Sequence, residues 1–303
     1  MKGVDIMENI IIKSVDNYEL SLNIYEVANP KGYIQVIHGM QEHQNRYLPI
    51  ALALNKAGYT VITSDMRGHG QNAAILGYFS DNEGYKLLLQ DQKEITKYIK
   101  ARFNTEHVII LGHSMGTIIT RNLIQTESND YSKVILTGYP NYQPVMKLGL
   151  LLAKIIKLFK GPKGFSKLIT DLSVGSFNKA IKNPKTNLDW LSYNEDNVDT
   201  YIKDELCGFP FTISAFIDLF TLLCKMNTKT QTINNIPLLL LAGNEDPCVG
   251  GDKGIKDSIN ALNKMGFTNI KNIEYNHMRH EILNETEYHT VIDDIVSFLG
   301  GDN

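Results

Sequence analysis

A serine flanked by two glycines is the residue whose spacing most clearly indicates chemistry. Residues 112–116 read Gly-His-Ser-Met-Gly, and a GxSxG pattern arises by chance only about 0.1 times in a chain of this length at ~7% glycine usage. A strand-like run, residues 108–111, precedes Ser114, and a helical pattern, residues 117–125, follows it. On such a tight strand-to-helix turn the serine hydroxyl projects freely, and flanking side chains would clash. The pattern therefore predicts Ser114 as a nucleophile.

A serine hydroxyl is a weak nucleophile at neutral pH, so it needs a histidine base that a carboxylate orients. With the nucleophile on such a turn, the acid follows it in the chain and the base comes last. Three histidines follow Ser114, at positions 277, 280 and 289. His289 falls in a helical pattern and is predicted to be a surface residue. His277 and His280 both lie in the short loop after a strand-like run, and position alone leaves both open while favouring His280.

The predicted acid lies in a turn after another strand-like run, residues 237–242. This turn contains Glu245 and Asp246, and Pro247 follows. A proline holds the preceding residue in extended backbone, so we predict Asp246 as the acid and keep Glu245 as the alternative. Ordinary turn chemistry also favours carboxylates in such a loop.

An oxyanion hole needs a second backbone donor from an earlier loop. The strand-like residues 33–37 lead into His38, Gly39 and Met40, and glycine lets the backbone approach a substrate closely. We predict the backbone N–H groups of Met40 and Met115 as the two donors. A similar loop, residues 65–70, carries Arg67 and His69, but His69 precedes Ser114 in the chain, so this loop is predicted to be scaffolding.

These loops require a sheet that brings them to one edge. Short, β-branched-rich runs without clean alternation are typical of strands buried on both faces of a parallel sheet. Such runs occupy residues 33–37, 59–63, 108–111, 134–136, 237–242 and 270–275. Alternating residues 9–14 and 19–27 predict an N-terminal hairpin, and helical patterns occupy residues 47–57, 85–101, 115–125, 255–265 and 285–299. Alternation of strands and helices predicts an α/β fold with helices on both faces of the sheet.

One long region lacks strand patterns. Residues 139–227, here called the insert, contain helical pieces separated by Gly-Pro, Asn-Pro and Phe-Pro pairs. We predict that residues 1–138 and 228–303 form the core and that the insert is a helical lid. Open α/β sheets bind ligands at the carboxyl edge, so the insert is predicted to control substrate selectivity.

Composition excludes several other classes of protein. The chain has 303 residues, 43% of them hydrophobic, and a net charge of −3, which argues against nucleic-acid binding. Its three cysteines lack zinc-like spacing, so free thiols in a reducing cytoplasm are expected, with no metal or other cofactor. Residues 1–12 do not resemble a signal peptide. Residues 148–159 are interrupted by two lysines and are too short to span a bilayer.

These motifs resemble the lysophospholipase and monoacylglycerol lipase-like branch of the α/β-hydrolases, which is grouped with the S33 serine aminopeptidases. The matching segments are residues 38–47, 65–70, 112–116, 243–247 and 279–285. The resemblance implies the α/β-hydrolase fold and selects His280 over His277, because the family's base directly precedes a glutamate. Gln41 departs from the family, since many members have glycine there, and it is expected to narrow the mouth of the oxyanion loop.

The residues and the resemblance together predict hydrolysis of carboxylic esters with medium or long acyl chains, such as monoacylglycerols or lysophospholipids. The apolar segment 148–159 contains lysines at 154 and 157, and another lysine follows it at 160. The segment is therefore predicted either to contact a membrane surface transiently or to pack as an ordinary lid helix.

One alternative function is that of an aminopeptidase-like enzyme, for which the insert offers acids at positions 195, 196, 199, 204 and 205. Another is a non-catalytic ligand-binding protein, which would be expected to lose part of the triad. The oligomeric state is not encoded in these patterns.

Overall fold

The computed structural model describes residues 7–228 and 234–301. Residues 1–6, which belong to the stretch tested above for a signal peptide, lie outside the described residues, as do residues 229–233 and 302–303 of the predicted core.

A single mixed sheet forms the centre of the described structure. Its strands are β1 (Met7–Lys13), β2 (Glu19–Tyr25), β3 (Tyr33–Ile37), β4 (Thr60–Ser64), β5 (Val108–His113), β6 (Tyr131–Thr137), β7 (Leu238–Gly243) and β8 (Ile270–Tyr275). The eight strands are ordered β1-β2-β4-β3-β5-β6-β7-β8. β1 and β2 form the predicted antiparallel hairpin, and β2 is antiparallel to β4. All other neighbours are parallel, so their carboxyl ends meet at one edge.

The central strands are buried on both faces, which explains their continuous apolar sequences. In β7, Leu239 and Leu240 point to opposite faces and both are fully buried. Leu239 packs with one apolar cluster and Leu240 with another. The sheet therefore separates two hydrophobic cores.

Helices cover both faces of the sheet. They are α1 (Leu48–Lys56), α2 (Gly84–Phe103), α3 (Met115–Glu127), α4 (Met146–Lys160), α5 (Lys167–Ser173), α6 (Glu195–Lys203), α7 (Ile213–Lys225), α8 (Gly251–Met265) and α9 (Tyr288–Gly300). α1 and α9 pack on the face of Leu239, whereas α2, α3 and α8 pack on the opposite face. This layering is the predicted α/β architecture.

The insert joins β6 to β7 and, as described, consists of helices and turns without a strand. Its last helix, α7, packs against α2 and α3, and Phe216 and Leu222 on α7 are fully buried. α4 packs on α7 and keeps an exposed outer face. The insert thus contributes one helix to the packed body and others to the region above the sheet.

Two helix starts differ from the sequence prediction by more than one residue. α8 begins at Gly251, before the first periodic apolar residue, Ile255. α9 begins at Tyr288 rather than at residue 285, because the Glu285 carboxylate accepts hydrogen bonds from the backbone N–H groups of Tyr193 and Arg279. Glu285 therefore ties a loop to the insert before the helix begins.

Candidate active site

The predicted site residues meet at the carboxyl edge of the sheet. Ser114 follows β5, Asp246 follows β7 and His280 follows β8. Met40 lies in the loop after β3, the strand next to β5. Parallel strand order therefore places all these loops side by side, where open α/β sheets bind ligands.

The backbone at Ser114 has a conformation that serine rarely adopts. Its φ is 50° and its ψ is −117°, so the residue lies between the end of β5 and the start of α3 with its side chain directed outward. A Cβ added to Gly116 would lie 2.1 Å from the Ile37 carbonyl oxygen, so only glycine lets α3 pack against the end of β3. A Cβ added to Gly39 would lie 3.2 Å from the Ser114 Cβ, and this glycine therefore brings the β3 loop close to the hydroxyl.

Ser114, His280 and Asp246 form a continuous hydrogen-bonded chain. His280 Nε2 lies 2.8 Å from Ser114 Oγ, and His280 Nδ1 lies 2.9 Å from Asp246 Oδ2. The other oxygen of Asp246 accepts the Cys248 backbone N–H at 2.8 Å. His280 and Asp246 are both buried, so the bond between them is shielded from water.

The alternative residues lie elsewhere. His277 is exposed and stacks on the Tyr193 ring at 3.9 Å between centroids. Glu245 accepts a hydrogen bond from the Tyr193 hydroxyl, and His289 is exposed on α9. None of these three side chains contacts Ser114 in the described structure.

The electrostatic surroundings of His280 favour its protonated form. Burial by itself lowers the pKa of His280, but the Asp246 carboxylate outweighs burial through its charge and hydrogen bond, and the pKa is raised. The neighbouring His113 ring lies 5.0 Å from the His280 ring. Burial and the charge of His280 lower the pKa of His113 to about 4, so His113 is neutral at physiological pH and does not compete with His280 for Asp246.

A buried ion network connects the β3 loop with the His280 loop. Glu42 accepts the Gly39 backbone N–H at 2.5 Å and pairs with Arg46 at 2.6 Å. Arg46 also makes two 2.7 Å bonds to Glu281, the residue after His280. Burial raises the pKa of Glu281, but Arg46 outweighs burial and lowers it to about 2. Glu281 is therefore ionised at neutral pH.

The residue patterns predicted no role for this network, although its residues lie in the family motifs. The spacing of Glu42 and Arg46, four residues apart in the sequence, is the available signal for a local ion pair. No local signal exists for the pairing of Arg46 with Glu281, because the two residues are joined only by the fold.

The loop of residues 65–70 lies beside the site but is bonded to the body. Arg67 pairs with Asp16 at 2.8 Å and with Asp91 at 2.9 Å. The Met66 backbone N–H donates to His38 Nε2 at 3.0 Å. These contacts fit the predicted scaffolding role, because they hold the loop against the β1–β2 turn, α2 and the loop after β3 rather than directing it at Ser114.

A cavity of about 320 Å³ opens at Ser114 and is enclosed partly by the insert. Met40, Met115 and His280 line it beside the serine. Its apolar wall consists of Ile118, Val145, Met146, Leu172, Leu219, Phe220 and Leu223. The Trp190 ring, from the insert, lies 4.9 Å from the His280 ring. The arrangement can hold an apolar chain next to the Ser114 hydroxyl.

Two groups of side chains bring metal-ligating atoms together within the described residues. His43, Asp204 and Cys207 form one group, and Asp246, Cys248 and His280 form the other, with ligand atoms within 4.8 Å of one another in each. Both groups unite residues that are distant in sequence, so spacing alone did not reveal them. Each contains a histidine–aspartate hydrogen bond that explains the proximity, at 2.8 Å and 2.9 Å respectively. The three cysteines are free thiols.

Among the described helices, none is both long and apolar enough to cross a membrane.

The mostly parallel sheet, the strand-to-helix turn at Ser114 and the helical insert define an α/β-hydrolase, and solved structures share this fold. A thermostable carboxyl esterase from Bacillus coagulans, solved in complex with glycerol, superposes with a TM-score of 0.89 at 26% identity, over 97% of this chain and 98% of that one. The model of the family described as serine aminopeptidase, S33, matches residues 28–287. The chain therefore belongs to the S33 family of α/β-hydrolases, and the predicted fold class is confirmed.

Curated relatives fall in the branch that the sequence motifs resemble. The phospholipase YtpA of Bacillus subtilis is 24% identical over 264 residues, which cover 87% of this chain and 93% of the relative. A monoacylglycerol lipase of Mycolicibacterium smegmatis is 22% identical over 285 residues, which cover 91% of this chain and 92% of the relative. The predicted resemblance to this branch is confirmed.

Proposed function

We propose that this protein hydrolyses carboxylic esters with medium or long acyl chains, such as monoacylglycerols or lysophospholipids, through Ser114, His280 and Asp246. The main support for this proposal is that the three side chains are joined by hydrogen bonds and that Ser114 lies at the apolar cavity. The enzyme class, carboxylic ester hydrolase, is shared with the esterase and lipases that the chain resembles. The acyl length and the triad are the further parts of the proposal.

In this mechanism the Ser114 oxygen attacks the ester carbonyl while His280 Nε2 accepts the hydroxyl proton. The resulting oxyanion accepts hydrogen bonds from the backbone N–H groups of Met40 and Met115, and Asp246 stabilises the imidazolium. Collapse of the tetrahedral intermediate breaks the ester C–O bond, and His280 returns its proton to the departing alcohol. Water, deprotonated by His280, then releases the acid and restores Ser114. The chemistry needs no metal or organic cofactor.

The insert acts as the lid in this proposal, with residues 139–227 as the lid and the flanking segments as the core. Trp190 covers the ring of His280, so it limits the access of water to the base. Leu219, Phe220 and Leu223 of α7 line the cavity, so part of the acyl specificity comes from the insert.

The outer face of α4 is proposed to contact lipid surfaces transiently. Leu158 and Phe159 are 82% and 85% exposed, which is unusual for such large apolar side chains when they neighbour one another. Lys154 and Lys160 lie on the same helix and favour an anionic surface. Docking there would bring the insert to the source of an apolar substrate.

Hydrolysis of an ester series from acetyl to palmitoyl, including monoacylglycerols and lysophospholipids, tests the proposal. We expect the highest kcat/KM at eight or more carbons, because the cavity wall is apolar. Ser114→Ala is the control and should lower kcat by about a millionfold, the scale observed when a catalytic serine is lost. A maximum at acetyl or butyryl would overturn the acyl-length proposal. A loss below tenfold in Ser114→Ala would overturn the triad.

Peptide hydrolysis is the alternative suggested by the family's description. An exopeptidase needs an acid directed at the substrate amine, and Glu195 instead lies at the surface beside Lys185. Asp204 pairs with His43. Glu42 and Glu281 do line the cavity, but both carboxylates are bonded to Arg46 rather than directed at a substrate amine. The site therefore favours an uncharged ester over a peptide amine.

The remaining alternative, ligand binding without chemistry, is tested by a fluorophosphonate. A protein with a functional triad forms a covalent adduct on Ser114, whereas a folded protein without an adduct would support the binding function.

A further inference from the structure

Gln41 has an unusual backbone conformation for its residue type. It directly follows Met40, and its φ is 60°, in the left-handed region that favours glycine. A glutamine remains in this conformation only when its surroundings hold it there. The contacts of Gln41 therefore show which groups hold it in this conformation.

Those contacts all lead to the insert. The Gln41 carbonyl oxygen accepts the Gly208 backbone N–H at 2.9 Å and the Tyr201 hydroxyl at 2.8 Å. The Gln41 side-chain amide donates to the Phe209 carbonyl oxygen. Tyr201 and Phe209 are buried, so the partners are themselves fixed by packing.

Gln41 lies between the proposed oxyanion hole and the buried ion network. Met40 supplies a proposed donor, and Glu42 holds the Gly39 backbone N–H at 2.5 Å. The conformation of Gln41 therefore sets the path of the chain between a donor and the ion network. A donor that is displaced slightly from the oxyanion stabilises the transition state less, while substrate binding changes little.

We infer that Gln41 is a positioning residue whose hydrogen bonds to the insert hold the Met40 N–H where the oxyanion forms. This inference rests on the proposed ester hydrolysis and deepens it. It implies that the insert sets the efficiency of the oxyanion hole as well as the shape of the cavity.

Two substitutions separate the side chain from the backbone conformation. Gln41→Gly keeps the left-handed φ available and removes the bond to Phe209. Gln41→Asn keeps an amide and tolerates the same φ, but its side chain is shorter by one methylene and does not reach the same carbonyl. Asn29→Gly is the matched control, because Asn29 is exposed and has a φ of 53° far from these contacts in sequence.

The experiment measures kcat, KM and the inhibition constant of an acyl trifluoromethyl ketone, which forms a tetrahedral adduct with a reactive serine. We expect both Gln41 variants to lower kcat about tenfold, less than the ~10²–10³-fold effect of removing a donor completely. The ketone should bind about tenfold more weakly, KM should stay within about twofold, and the pH midpoint should not move. Asn29→Gly should match the wild type.

Wild-type values of kcat and ketone affinity in both Gln41 variants would overturn the inference, as would an equal loss in Asn29→Gly. If Gln41→Gly does not fold, Tyr201→Phe is measured in its place, because it removes the hydroxyl that bonds to the Gln41 carbonyl oxygen. The same readouts apply: a lower kcat and weaker ketone binding with KM nearly unchanged. If the proposed function is wrong, the wild type itself turns over no ester. If only the inference about Gln41 is wrong, the wild type and both Gln41 variants turn over esters equally well.

Discussion

His280 lies among three carboxylates but bonds directly to one of them. Asp246 accepts from its Nδ1 side, whereas Glu42 and Glu281 are both paired with Arg46. The two paired carboxylates still raise the pKa of His280 through their charge, after the larger effects of burial, which lowers it, and of Asp246, which raises it. The net result is an imidazole that is more basic than an ordinary histidine.

This basicity predicts the pH dependence of hydrolysis. Because only the neutral imidazole accepts the Ser114 proton, kcat/KM should rise with pH, with a midpoint above about 6.5. Asp246→Asn removes the main cause that raises the pKa, so the midpoint should fall, together with an approximately 10⁴-fold loss of kcat. Profiles of kcat/KM between about pH 5 and 9 test this.

Glu245→Gln provides the control for that experiment, because Glu245 is the neighbouring carboxylate and bonds to Tyr193 instead. It should leave the midpoint in place. A flat profile in the wild type would contradict the role of His280 as base, and an unchanged midpoint in Asp246→Asn would contradict the electrostatic origin of the shift.

At the scale of elements, α4 directs several of its large apolar residues away from the body of the protein. Ala153 faces inward and is fully buried, whereas Leu148, Leu151, Leu158 and Phe159 are exposed. A helix with an apolar outer face and lysines at its ends is typical of interfacial binding. The sequence predicted the helix but left open whether it packs as an ordinary lid helix or contacts a lipid surface.

Leu158→Ser and Phe159→Ser test the proposed lipid contact. Each should weaken binding to vesicles containing phosphatidylglycerol about tenfold, because each removes part of a large apolar side chain from the lipid. Co-sedimentation measures the binding, and turnover of a water-soluble ester should not change. Ile202→Ser, on α6 and 51% exposed, is the matched control and should bind as the wild type does. Unchanged binding in the α4 variants would contradict the contact.

Across the whole molecule, the Arg46 guanidinium joins segments that are far apart in the chain. It bonds to Glu42 in the β3 loop, to Glu281 after β8 and to Asn197 at 3.0 Å on α6 of the insert. The group is buried, so its charge depends on these partners for stability. The network therefore stabilises the relative positions of the core loops and the insert.

This pairing predicts a specific acid sensitivity. The folded-state pKa of Glu281 is about 2, below its ordinary value of about 4.3. Its contribution to the free energy of unfolding is therefore complete above about pH 5 and is lost as the pH falls toward 2. Glu281→Gln should lower the free energy of unfolding at pH 7 by about 1–3 kcal/mol, because Arg46 loses two charge-assisted hydrogen bonds but keeps Glu42 as its countercharge, and should flatten the acid dependence.

Urea unfolding at pH 7, 5, 4 and 3 would measure both effects. Glu274→Gln, at an exposed position of β8, is the control and should retain the wild-type free energy and pH slope. Equal stability of Glu281→Gln and the wild type at pH 7 would contradict the stabilising role of the network.

The same long-range contacts mark the limit of what the sequence could predict. Buried strands such as β7 are visible because apolar side chains are needed on both faces, and the loops after them identified Ser114, Asp246 and His280 as candidates. The pairing of Arg46 with Glu281 and the late start of α9 depend on contacts between distant segments. The left-handed conformation of Gln41 likewise depends on the insert, and no local pattern of residues encodes such contacts.

The backbone of Ser114 has a further consequence for how this chain could evolve. A positive φ at a residue other than glycine costs about 1–3 kcal/mol, and Ser114 adopts one with a φ of 50°. Glycine at this position would relieve the strain, yet it would remove the hydroxyl. Natural selection for turnover and selection for thermal stability therefore act in opposite directions at this one residue. The two packed cores of the sheet stabilise the fold enough for the strained serine to be retained.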